Sequence, residues 1–283
     1  MLVFINPIGG SGKALKIWNC VFLILRIAYF TFNHLNHISI YLKKLFLEHA
    51  NIDLEVFETK YYKHAYDHTK VIECGKYNGI ICCSGDGIVH EVINAIFSRS
   101  DAEAFMKYTA VGVIPGGSGN GYAKSICEES KQELYPQTCA YIIAKGETKM
   151  FDVMEIESAS NPNKIYSFLS IAWGIMADLD LESEKIRYIG SARFTIYGTY
   201  FIACQRNYYG TIYFASEDAI DENFKFPSLS EELNPKYFKK ESKSFAYFCA
   251  CVVPWISDYI NAAPKSLPTD SCCDLIVNIF KTF

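Results

Sequence analysis

The stretch Asn78–Phe97, NGIICCSGDGIVHEVINAIF, decides how the chain is read. NGIICC is a short apolar run bounded by turn residues and reads as a buried strand. SGDG interrupts it with two glycines around one acid, and HEVINAIF then reads as a helix. The same order recurs on either side. Leu2–Ile5 leads through NPIGGSG into a helix from about Lys13, and Val111–Ile114 leads through PGGSGNG into another. Ile52–Glu58 alternates apolar and polar residues through Ile52, Leu54 and Val56 and reads as a further strand. Strand, glycine turn and helix, repeated, is the pattern of a parallel sheet with crossover helices. Ligands of such sheets bind beyond the carboxyl ends of the strands, where all three glycine turns fall.

Past Lys145–Lys149, a polar break reading KGETK, the texture becomes β-rich over Met150–Glu157, Ile165–Ala172, Gly210–Ala215 and Ser244–Val253. A domain boundary near Gly146 divides the chain into an α/β domain, 1–146, and a β-rich domain, 147–283. Phe224–Ser242 is charged and proline-bearing and reads as a surface loop. The length of 283 residues suits two domains, and 50% hydrophobic with 20% charged residues suits packed cores. A net charge of −4 argues against a broad basic surface for nucleic acid. The 11 cysteines form no pair of C-x-x-C units, so a zinc ribbon is not expected and buried reduced thiols of a cytosolic protein are.

Residues 19–41 stand apart. Their apolar run VFLILRIAYFTF carries Arg26 and falls short of the roughly 20 residues a membrane span needs, so it reads as a buried helix. KALKIW and LKKLFLEHANIDLEV would join smoothly without it, which marks 19–41 as an atypical insert, in the extreme a retained intron.

The turns carry the chemistry. GGSGKA is not the common P-loop: Pro7 stands where its first glycine belongs, and Ala14 follows Gly12-Lys13 where a hydroxyl residue belongs. Gly9, Gly10 and Gly12 still let backbone amides approach a phosphate at a helix N-terminus beside Lys13. Alone this turn reads equally as a plain bend. Asp86, between Gly85 and Gly87, alone reads as the polar residue of a tight turn. Gly116, Gly117, Ser118, Gly119 and Asn120 make a third backbone cradle. Three such turns at successive strand ends favour phosphate binding over three unrelated bends. Asp178, Asp180, Glu182 and Glu184 share a face if the segment is a strand. If it is a helix, Asp180 and Glu184 share one. Without further information the run reads as a solvated charged surface.

FINPIGGSGKA, CSGDGIVHEVINAI, IPGGSGNGYA and the T-x-x-x-x-H-A element from Thr59 to Ala65 resemble the nucleotide-binding motifs of the diacylglycerol kinase catalytic-domain family. Ser167–Phe194, SFLSIAWGIMADLDLESEKIRYIGSARF, resembles the substrate segment of the sphingosine kinases within that family. The resemblance implies an α/β domain holding ATP with Mg²⁺, then an antiparallel β-sandwich holding the lipid. It implies transfer of the γ-phosphoryl group to the primary hydroxyl of a sphingoid base. Asp86 would be the general base. Asn6, Gly10, Lys13, Gly85, Gly87, Gly117, Ser118, Gly119 and Asn120 would line the phosphates, with Thr59 near the nucleotide. Arg187 and Arg193 would face the phosphates from the second domain, and Asp180 with Ser170 would meet the sphingoid head group. No metal ligand is singled out.

The same resemblance leads one to expect a further β segment bearing Asp-Gly-Glu after Phe283. The sandwich is therefore expected to be incomplete at its carboxyl end. It also implies a cytosolic protein that visits membranes transiently, with a sphingoid lipid as partner and no nucleic acid. The alternatives are a diacylglycerol or ceramide kinase, or a fragment that binds lipid or nucleotide without catalysis. An NAD kinase has a G-G-D-G turn, but Ser84 stands at its first position here and the apolar second half suits a soluble dinucleotide poorly.

Overall fold

The computed structural model describes residues 1–8, 12–18, 52–189, 192–204, 206–215, 220–221, 224 and 226–279, without the side chains of Arg187 and Ile202. Gly10, the side chain of Arg187 and the 19–41 insert lie outside the described residues. The chain divides into two compact units, Met1–Met150 with Trp255–Asn261, and Phe151–Pro254 with Ala262–Phe283.

The first unit is built on a parallel sheet of β1 (Leu2–Ile5), β2 (Glu55–Glu58), β3 (Gly79–Ser84) and β4 (Ala110–Pro115). Its order is β2-β1-β3-β4, and every pairing is parallel. All residues of β1 and β3 are buried, as expected of central strands covered on both faces. The helices between strands supply the cover. α1 (His64–Val71) precedes β3. α2 (Asp86–Phe97) follows it and buries Ile88, Val89, Val92, Ile93 and Ile96. That set repeats every three to four residues, so one stripe of the helix faces the core. α3 (Ala102–Tyr108), α4 (Gly121–Glu129) and α5 (Pro136–Lys145) complete the unit. α5 begins with a proline at its first turn and ends on Gly146 at φ 73°, the left-handed residue that terminates helices.

Arg99 ties the helices together. Its guanidinium forks onto Asp101 at 2.8 and 2.9 Å and donates to the carbonyls of Thr69 and Lys70 at 3.0 and 2.9 Å.

The strand order matters for function. From β1 the chain runs outward to β2, then returns to β3 on the other side of β1. Connections leave β1 and β3 in opposite directions, so the crevice beyond their carboxyl ends is the switch point of the sheet. The residues there are Asn6 onward after β1 and Ser84-Gly85-Asp86 after β3.

The second unit is antiparallel. β5 (Met154–Ser158) and β6 (Asn161–Ser167) form a two-stranded ribbon. β7 (Ser170–Gly174), β8 (Tyr208–Phe214), β9 (Lys239–Cys251) and β10 (Asp274–Ile279) form a four-stranded sheet. β9 is its spine: Lys239–Phe245 pairs β8, while the more buried half from Phe245 to Cys251 lies between β7 and β10. The segment Ile165–Ala172, read from sequence as one strand, turns at Phe168-Leu169 and is shared between the ribbon and the sheet. β9 also starts at Lys239, inside the stretch read as loop. From Gly174 the chain enters α6 (Ile175–Ser183), a 3₁₀ turn (Glu184–Ile189) and α7 (Ala192–Cys204). The architecture is thus the expected one, a parallel α/β unit followed by an antiparallel unit.

Among the described residues no helix is long and apolar enough to cross a membrane. No described cysteine forms a disulfide, and Cys82, Cys83, Cys127, Cys139, Cys249 and Cys251 are buried free thiols.

Candidate active site

Two glycine turns meet back to back at the switch point. A Cβ built on Gly117 would lie 2.3 Å from the Gly85 Cα, and one on Gly85 would lie 3.0 Å from the Gly117 Cα. The first turn region closes on the same point, since a Cβ on Gly116 would lie 3.2 Å from the Cα of Ala14. Glycine is required here because backbone approaches backbone. The result is a bowl made chiefly of main-chain groups beyond the carboxyl ends of β3 and β4, with the Asp86 and Asn120 side chains set into it.

Asp86 organises the bowl. It is the first residue of α2, yet its carboxylate reaches across to cap α4. Oδ2 accepts the N–H groups of Asn120 at 3.0 Å and Gly121 at 2.9 Å, and Oδ1 accepts that of Tyr122 at 3.1 Å. A carboxylate has about four acceptor directions, so one direction remains beyond these three bonds. Burial pushes the Asp86 carboxyl above its ordinary pKa. The N–H groups of Gly121 and Tyr122 pull the other way, and the charge of Asp258 adds to the rise. Asp258 belongs to the short hairpin Trp255–Asn261, which packs on α4. A Cβ on Gly121 would meet the Trp255 carbonyl at 2.6 Å, and the Trp255 amide donates to Ser125 Oγ at 3.3 Å.

Asn120 holds the third turn closed. It sits at φ 119°, its side-chain oxygen accepts the Gly117 amide at 3.0 Å, and its Nδ2 donates to the Gly117 carbonyl at 3.2 Å. With these groups spent inside the loop, the half-buried Gly117, Ser118 and Gly119 form its outer rim. Asn6 bends the chain after β1, accepting the Ile8 amide at 3.2 Å. Lys13 is exposed at the start of the helical residues 14–18. Thr59 is buried at the end of β2, where its amide and hydroxyl both donate to the Ile5 carbonyl, at 2.9 and 3.3 Å. His64 Nδ1 accepts the Lys60 amide at 3.0 Å, a bond that closes the turn leading into α1.

Sequence reading missed Glu91. It sits one turn beyond Asp86 on α2 and accepts the amides of Lys63 and Ala65, both at 3.1 Å. It thereby fastens the T-x-x-x-x-H-A element to the helix that starts at Asp86. The only signal for it was its place in the run HEVINAIF.

In the second unit the acidic run is helical, so the four carboxylates part into two pairs. Asp178 and Glu182 share Arg206, whose Nη1 donates to them at 2.8 and 3.1 Å, and Tyr208 OH donates to Asp178 at 2.5 Å. Asp180 lies on the other side with Glu184 and the buried Arg193, which is ion-paired to Glu184. Burial raises the Asp180 carboxyl. Arg193 opposes that rise and Glu184 adds to it. Arg193 packs its guanidinium over the Phe194 ring at 4.5 Å. Ser170 is half-buried at the start of β7, opposite Cys251 on β9. Asp86 and the glycine turns thus come together in the first unit, and Asp180 and Arg193 in the second.

Comparison with known proteins fits this layout. The diacylglycerol kinase catalytic domain family model matches residues 36–156. The chain is 35% identical to sphingosine kinase 1 of Arabidopsis thaliana over 98% of its own length and 56% of the relative's. It is 30% identical to sphingoid long chain base kinase 4 of Schizosaccharomyces pombe over 100% of its length and 59% of the relative's. The chain therefore spans somewhat over half the length of these curated relatives. A crystal structure of a diacylglycerol kinase from Bacillus anthracis superposes with a TM-score of 0.57 at 15% identity, covering 98% of this chain and 72% of that one, a likeness of fold.

Proposed function

Since the chain is a sphingosine kinase-like protein, we propose that it transfers the γ-phosphoryl group of ATP to the primary hydroxyl of a sphingoid base. The observation that carries this reading is the Asp86 carboxylate, held at the switch point by three N–H groups with one acceptor direction to spare.

Phosphoryl transfer asks a protein mainly for positioning and for charge neutralisation. Main-chain N–H groups of the glycine turns, Gly10, Gly85, Gly87, Ser118 and Gly119 among them, orient the phosphate oxygens, while Gly117, whose amide stays on Asn120, lines them with its bare Cα. Asn6, Thr59 and Asn120 keep those turns in shape, and Lys13 supplies a positive charge beside them. The missing Cβ atoms of Gly85, Gly116 and Gly117 let the turns close on one another, and open space beside Gly87 leaves its backbone approachable. Asp86 takes the proton from the attacking hydroxyl into its free acceptor direction. Mg²⁺ supplies charge neutralisation on the phosphates. Among the described residues no group of three or more His, Cys, Asp or Glu side chains gathers.

In the second unit Asp180 pairs with the ammonium of the sphingoid base, with Ser170 as a polar neighbour. Asp180 is exposed, yet its surroundings hold its carboxyl above the ordinary range, so it gains from a cation that arrives with its ligand. Arg187 and Arg193 are assigned to the phosphate side of the reaction. The lipid is met at a membrane surface that the protein visits transiently from the cytosol.

The test is a substrate panel with purified protein and ATP. Turnover of sphingosine well above that of diacylglycerol or ceramide upholds the reading. Preference for an uncharged lipid overturns it.

A further inference from the structure

We infer that Arg206, with Tyr208, is a positioning residue for the sphingoid site: it fixes the rotation of α6 and so the direction in which Asp180 points. The inference rests on the proposed role of Asp180.

α6 advances by about 100° per residue. Asp178 and Glu182, four residues apart, fall on one edge of the helix, and Asp180 falls on nearly the opposite edge. The Asp178–Glu182 edge is fastened. One nitrogen of Arg206, Nη1, donates to Asp178 Oδ2 at 2.8 Å and to Glu182 Oε1 at 3.1 Å. Tyr208, the first residue of β8, donates its hydroxyl to the same Asp178 oxygen at 2.5 Å. The Arg206 guanidinium rests on the ring of the fully buried Phe201, 4.8 Å from its centre, and the Tyr208 ring packs edge-on to Trp173 of β7 at 5.8 Å. The anchor thus joins α6 to α7, to β8 and to the strand that precedes α6. The helix is also fixed at its start. Gly174 sits at φ 80°, and a Cβ there would lie 2.6 Å from the Ala246 carbonyl of β9.

With one end pressed to β9 and one edge held by Arg206, α6 has a single rotational setting. That setting turns Asp180 toward Arg193 and Glu184. Arg206 and Tyr208 touch Asp178 and Glu182, so their effect on a ligand at Asp180 passes through the helix.

The test compares wild type, Arg206→Met, Arg206→Lys and Tyr208→Phe in the full chain, with steady-state kinetics and amide hydrogen exchange over 175–183. Methionine keeps an apolar stem over Phe201 and removes the charge. The expected result for Arg206→Met is a rise of about tenfold in KM for sphingosine, the size of effect a small misplacement produces. KM for ATP and kcat stay within about twofold, and exchange in α6 quickens. Arg206→Lys recovers most of the loss, because a single nitrogen makes both contacts, and Tyr208→Phe shows the same pattern in weaker form.

An unchanged KM for sphingosine, or equal loss toward both substrates, overturns the inference. So does unchanged exchange in α6. If Arg206→Met does not fold, Arg206→Lys and Tyr208→Phe decide by the same two readouts. If wild type fails to phosphorylate sphingosine, the kinase reading falls on its own. The exchange data then still decide whether Arg206 holds the helix.

Discussion

Asp86 and Gly121 are 35 residues apart in sequence, yet Asp86 Oδ2 accepts the Gly121 amide at 2.9 Å. The residue assigned to proton transfer is also the cap of the next helix. Two amides at the start of α4, those of Gly121 and Tyr122, find their acceptor in this one carboxylate, and that of Asn120 joins them. The same three bonds aim its remaining acceptor direction.

Replacing Asp86 by Asn therefore does two things. It removes the base, for an expected loss of about 10²–10⁴ in kcat. It also places an NH₂ group where a backbone N–H needs an acceptor, at a cost of about 1–3 kcal/mol in stability. Kinetics and urea unfolding of the same preparation separate the two. Turnover equal to wild type would remove Asp86 from the chemistry.

Gly117→Ala tests the bowl. The added methyl would fall 2.3 Å from the Gly85 Cα and 2.6 Å from its nitrogen, with no flexible side chain there to yield. A stability loss of about 1–3 kcal/mol is expected from overpacking, together with weaker ATP binding by titration calorimetry. Unaltered stability and affinity would show that the turns do not touch.

The Asp86 carboxyl has a pH signature. Its pKa in the folded chain lies above the ordinary 3.8, so the folded state holds this proton more tightly than the unfolded state does. Its contribution to stability is present at low pH. It falls as pH rises from 3.8 through the raised value, and it stays lost above. Activity runs the opposite way, because the base works only when ionised. The acid limb of the kcat/KM profile for wild type is expected to have its midpoint above 3.8. In Asp86→Asn the stability slope assigned to this group disappears. A slope identical in both proteins would place the proton elsewhere.

Asp180→Asn keeps the shape of α6 and removes the negative charge assigned to the sphingoid ammonium. KM for sphingosine is expected to rise at least tenfold with KM for ATP little changed. Because Asp180 lies beside Glu184 and Arg193, unfolding should be nearly unaffected or slightly less favourable. An equal effect on both substrates would contradict the assignment.

The legible parts of the molecule were those written in local pattern. β1, β3 and β4 are short apolar runs ending in glycine turns, and periodicity with turn chemistry places them within a residue or two. The parallel order follows from the crossover helices. What escaped depends on contacts distant in sequence. Asp86 as the cap of α4 spans 34 to 36 residues, and no local rule announces it. The division of Ile165–Ala172 between two sheets hides in an unbroken apolar run, since Phe168 is buried just as strand residues are. The acidic run from Asp178 fits strand and helix equally by spacing. Packing of α6 against β7, β9 and Arg206 settles it as a helix, which splits its charges into two edges. Glu91 was hidden for the same reason, as its partners Lys63 and Ala65 lie at the start of another helix, more than 25 residues earlier.

The central claim is transfer of phosphate to a sphingoid hydroxyl with Asp86 as base. The direct measurement incubates the purified chain with γ-labelled ATP, Mg²⁺ and sphingosine in mixed micelles, in parallel with Asp86→Asn. The account expects label in sphingosine 1-phosphate for the wild type and a loss of at least a hundredfold for the variant. No label in sphingosine, or equal labelling by both proteins, would contradict it.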